Sequence, residues 1–121
     1  MKKVISVSII CLLVLFTTGN SSYAQTCSPE NGTSIQGFYK LKYCMENLGW
    51  RESVKQNEWR VTVYNLYDDV NIRIDFNLVE AGAPAKGLSY KLIKAGKSTA
   101  ISFYFSSTPE FVYDNIELIK N

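Results

Sequence analysis

From Val70 to Leu78 every second residue is apolar: Val70, Ile72, Ile74, Phe76 and Leu78 alternate with Asn71, Arg73, Asp75 and Asn77. A period of two belongs to a strand with one face in a core and the other in water. The same alternation runs through Trp59, Val61 and Val63, with Arg60 and Thr62 between them, on to Tyr67. Asp68 and Asp69 then supply turn chemistry, and two alternating runs around a short polar turn predict an antiparallel hairpin. Residues 81–87 hold two glycines and a proline and break the pattern. Leu88, Tyr90 and Leu92 begin a further alternating segment. Ala95-Gly96-Lys97 reads as a tight turn, with Lys94 and Lys97 as solvated charges at a hairpin tip. Thr99, Ile101, Phe103 and Phe105 mark the next strand. The final segment changes parity: Phe111 and Tyr113 fall on one face, Ile116 and Leu118 on the other. A bulge near Asp114-Asn115 would rotate the later residues onto the core face; burial on both faces would serve equally.

Residues 33–49 support two readings. As a strand, Tyr39, Leu41, Tyr43 and Met45 share a face. As a helix, Ile35, Phe38, Leu41, Met45 and Leu48 share one, with Thr33 and Gln36 as a capping box and Gly49 as the stop. The tyrosines and the Lys40-x-Lys42 alternation favour strand. The sum is six to seven short strands with regularly spaced turns. That predicts an all-β fold, a small antiparallel sandwich of immunoglobulin-like architecture, without the cysteine and tryptophan spacing of antibody domains. The alternatives are a small barrel or a sandwich with one N-terminal helix near residues 33–49.

The first 24 residues are unlike the rest. Lys2 and Lys3 precede an apolar run from Val4 to Phe16, and Ser22-Tyr23-Ala24 has the small-x-small form of a cleavage site. These are the parts of a secretory signal peptide, and the run is shorter than the ~20 residues that span a bilayer. The expected mature chain is residues 25–121, a single β-domain exported to the periplasm or beyond, with no membrane insertion after cleavage. Residues 25–35 read as a leader.

Cleavage changes the charge. Of 13 basic residues two are lost, leaving 11 against 11 acidic ones. A neutral domain lacks the basic footprint of a nucleic-acid binder. Of three cysteines, Cys27 and Cys44 remain, and an even pair in an oxidising compartment predicts a disulfide.

The chain has no histidine. This excludes His-based triads and the usual zinc ligand sets. Asp68, Asp69, Asp75 and Glu80 match no calcium-loop spacing, so no metal and no cofactor are expected. Aromatic residues are the remaining chemistry. Trp59 shares parity with Val61 and Val63 and reads as core. Trp50, beside Gly49 and Arg51, reads as the exposed ring. Arg60, Tyr64 and Tyr104 fall on the opposite parity from their apolar neighbours, and Tyr and Arg are frequent anchors of protein interfaces. The expected function is a non-enzymatic binding module that recognises a protein or glycan through a sheet face or loops. The alternatives are a small carboxylate- or lysine-based enzyme, or a structural component of an envelope assembly.

Overall fold

Residues 27–120 are described by the computed structural model; the expected signal peptide, residues 1–24, lies outside them. After a short 3-10 turn at Pro29–Asn31 the chain forms β1 (Thr33–Ile35), β2 (Phe38–Arg51), β3 (Gln56–Asn65), β4 (Val70–Val79), β5 (Ser89–Ile93), β6 (Ser98–Phe105) and β7 (Glu110–Lys120). One sheet has the order β1-β2-β3-β6 and the other β5-β4-β7. Every pairing is antiparallel. The fold is therefore a small all-β sandwich. Residues 33–49 are extended rather than helical, so part of the expected leader is itself strand β1. Gly37, at a φ of 85° that side chains disfavour, closes the two-residue turn between β1 and β2.

The core lies between the sheets. Leu41, Val61 and Val63 enter it from the four-stranded sheet; Ile72, Ile74, Phe76 and Ile93 enter from the other. Trp59, Ile101, Phe105, Phe111 and Ile116 pack around them. Trp59 thus belongs to the core margin, and its Nε1 is buried without a hydrogen-bond partner among the described residues. Along one side the Tyr43 ring stacks on Phe111, with centroids 4.1 Å apart, and seals β2 against β7.

The strand at the C-terminal end has the bulge that its parity change requires. Its register with β4 shifts between Arg73 and Asp75, and Asn115 sits in the left-handed region at φ 52°. The extra residue turns Ile116 onto the face of Phe111, and both pack against the core, whereas Tyr113 and Leu118 of the same pairs stay exposed.

Three sequence expectations fail. The predicted hairpin of residues 59–67 and 70–78 does not form. β3 pairs with β2 and β6, while β4 lies in the other sheet. The reason is Asn65, which is fully buried. Its Nδ2 donates to the carbonyls of Val70 (3.0 Å) and Ile93 (2.9 Å), and its Oδ1 accepts the Tyr67 N–H at 3.0 Å. These bonds bend the chain across the core instead of back along its own sheet. The Lys94–Lys97 connection is likewise a crossover, since β5 and β6 belong to different sheets. Finally, β5 buries Ile93 and turns Tyr90 and Leu92 outward, 54% and 44% exposed. Pairing of Ile93 with Ile72 sets that parity, against the alternation read from Leu88.

Candidate functional site

The outer face of the four-stranded sheet is built from the even-numbered residues of β3 and β6. Register places Tyr64 opposite Ser98, Thr62 opposite Ala100, Arg60 opposite Ser102 and Glu58 opposite Tyr104. Arg60, Tyr64 and Tyr104 therefore share one surface. Thr62, Ala100 and Ser102 form a floor of small, uncharged side chains between the two tyrosines. Tyr104 is 46% exposed.

Strand β2 continues this face, and the leader partly covers it there. The Cys27–Cys44 disulfide ties the leader to the sheet, with Cα atoms 5.8 Å apart. Glu46, 9% exposed, holds both parts together. Its Oε1 accepts from Arg60 Nη2 at 2.6 Å and Nε at 3.1 Å, and its Oε2 accepts the Cys27 N–H at 2.9 Å. Charge-assisted bonds of this kind are short and directional, so the Arg60 guanidinium is fixed in place. Glu58 is similarly engaged, by Arg51 at 2.8 Å. The Tyr64 hydroxyl lies 3.9 Å from Cys44 Sγ. Burial pushes its phenol above the ordinary value of 10.0, and the Glu46 carboxylate adds to the rise while Arg60 opposes it.

Glu46 escaped the sequence reading. Its even parity beside Lys42 was visible, but its pairing with Arg60 depends on the β2–β3 register, which is a non-local fact.

Trp50 does not join this group. The β2–β3 register shifts between Asn47 and Gly49, so Trp50 pairs with Asn57 on the core-side parity, beyond the end of the sandwich. It is 53% exposed, and its Nε1 donates to Glu52 at 3.0 Å. At the same end lies a pocket of about 410 Å³ with Leu78, Val79, Ala83 and Phe105 as apolar wall and Glu80 and Lys86 among its lining.

The other sheet also carries exposed rings. Arg73 lies over the Tyr90 ring, 4.7 Å from its centroid, and 3.8 Å from Glu117. This face is more charged, with Asp75 and Asp114 beside that pair. Among the described residues no three His, Cys, Asp or Glu side chains group to hold a metal, and no helix is long and apolar enough to cross a membrane. No known protein family, curated protein or solved structure matches the chain.

Proposed function

We propose that this chain is an exported, non-enzymatic binding module that engages a protein partner with the outer face of β3 and β6. One observation carries the reading: an open, uncharged floor of Thr62, Ala100 and Ser102 is flanked by Tyr64 and Tyr104, and the guanidinium between them, that of Arg60, is already paired with Glu46. Interface centres are depleted of free charge and enriched in Tyr and Arg. An arginine held by a neighbouring carboxylate loses little rotamer freedom on binding. The Tyr90 face of the other sheet has charges spread across it and fits solvent better. Export is supported by the disulfide, since such bonds persist in oxidising compartments.

The test is capture from envelope and culture extracts on the immobilised exported protein, with Tyr104→Ala, Tyr64→Ala and Arg60→Ala as probes of this face. Tyr90→Ala probes the other sheet, and Trp50→Ala the loop end, where a glycan ring would stack. The reading expects a specific protein retained by the wild type, by Tyr90→Ala and by Trp50→Ala, and lost with Tyr104→Ala. Retention of nothing, or of a polysaccharide dependent on Trp50, would overturn it.

A further inference from the structure

Among the described residues the two sheets have four outer strands, and three of them carry the devices by which sheets avoid pairing with other chains; the stretch of β2 left uncovered beyond β1, residues 44–51, carries Glu46, Arg51 and a register shift. β1 is only three residues long. β5 has five residues, with Lys91 among them. β7 is bulged at Asn115 and bears Glu110, Asp114, Glu117 and Lys120. Short length, bulges and charges all blunt an edge. β6 has none of these. Its eight residues, Ser98-Thr99-Ala100-Ile101-Ser102-Phe103-Tyr104-Phe105, include no charge, no proline and no glycine. It has no strand on its outer side among the described residues.

The backbone of β6 is set up to pair. The Asn65 N–H donates to the Lys97 carbonyl at 2.9 Å. Tyr64 and Ser98 are therefore a non-hydrogen-bonded pair, and the ladder to β3 runs through Thr99, Ile101, Phe103 and Phe105. By the same alternation the amides and carbonyls of Ser98, Ala100, Ser102 and Tyr104 point out of the sheet. On the core side of this edge Phe103 is 42% exposed, a large apolar ring left half covered.

We infer that β6 pairs antiparallel with β6 of a second copy of this chain, joining two four-stranded sheets into one continuous sheet. The occupant follows from self-complementarity. A two-fold axis perpendicular to the sheet keeps both core sides on the same side, so it passes through a residue, Ile101 or Ser102. About Ser102 the pairs are Ser102 with Ser102, Ala100 with Tyr104, Ile101 with Phe103 and Thr99 with Phe105. About Ile101 they are Ile101 with Ile101, Ala100 with Ser102, Thr99 with Phe103 and Ser98 with Tyr104. Both sets match small with large or like-sized apolar residues, and neither sets a charge against its own copy. A self-pairing edge must avoid that repulsion, because every residue near the axis meets its equivalent. The pairing also covers Phe103. It stands independently of what the outer face binds.

Sedimentation equilibrium of the purified exported protein across the micromolar range tests the inference. The expected result is a monomer–dimer equilibrium. Ser102→Lys and Ala100→Lys are both at exposed positions. Ser102→Lys, at the axis or one residue from it in either register, brings two ammonium groups together and raises the dissociation constant by about 100-fold or more, and Ala100→Lys does so in the Ile101-centred register. Val112→Lys on the β7 edge leaves it unchanged. Hydrogen exchange adds a site-specific readout: the amides of Ser98, Ala100, Ser102 and Tyr104 gain protection with concentration in the wild type and not in Ser102→Lys. A wild type that stays monomeric throughout the range, or a dimer indifferent to both lysines, would overturn the inference.

Discussion

Asn65 and Tyr64 are neighbours on one strand with opposite roles. Asn65 points into the core and makes three hydrogen bonds to backbone groups, those to the Val70 and Ile93 carbonyls buried. Replacing it with leucine keeps the volume but orphans the Val70 and Ile93 carbonyls, each at a cost of order 1–3 kcal/mol. Urea unfolding of Asn65→Leu is expected to show a loss of about 2–4 kcal/mol, far above that of a typical surface change. Tyr64 points outward, and its phenol ionises above the usual value because burial and Glu46 disfavour the phenolate. In the unfolded chain the phenol ionises near 10.0. The Tyr64 contribution to stability is therefore complete below that pH and is lost as pH rises through the higher folded value. Tyr64→Phe should flatten the alkaline limb of the stability profile. The outward orientation of Tyr64, Arg60 and Tyr104 was legible in the chain because strand parity is local. The burial of Asn65 was not: an asparagine before a polar turn looks like turn chemistry, and its two acceptors lie 5 and 28 residues away.

At the scale of the element, alternation identified the strands but not their partners. Period two reports which face is apolar, and β3 and β4 would look the same whether paired in a hairpin or stacked across a core. The bulge was the exception, because a parity change within one apolar strand has few solutions. Asn115 carries it in a left-handed conformation, and its Nδ2 donates to Asp75 at 3.1 Å. Glycine accepts that conformation readily, whereas a β-branched residue does not. Asn115→Gly is expected to change the urea midpoint little, while Asn115→Val should cost about 1–2 kcal/mol. The β5 parity error has the same origin as the missed crossover. Leu88 lies in the loop before the strand, so counting from it set Tyr90 and Leu92 inward. The long-range pairing of Ile93 with Ile72 sets them outward.

For the whole molecule, the disulfide and Glu46 anchor the leader to the back of β2 and leave the β3–β6 half of the face open. The bridge joins residues 17 apart. A loop of that size contributes about 3 kcal/mol in the chain-entropy view, so a Cys27→Ser/Cys44→Ser double variant should unfold at markedly lower urea while keeping its strand content at low temperature. At this scale composition spoke only to the chemistry expected: a formal charge of +2, three cysteines and no histidine narrowed the candidate residues before any fold was known. If the open half of the sheet is the proposed protein-binding surface, Tyr104 is its anchor. The most direct test is calorimetric titration of the retained partner into wild type and Tyr104→Ala. The variant, equally stable to urea, is expected to lose at least about 2 kcal/mol of binding free energy, as anchor residues do. Equal affinity for the two proteins would contradict it.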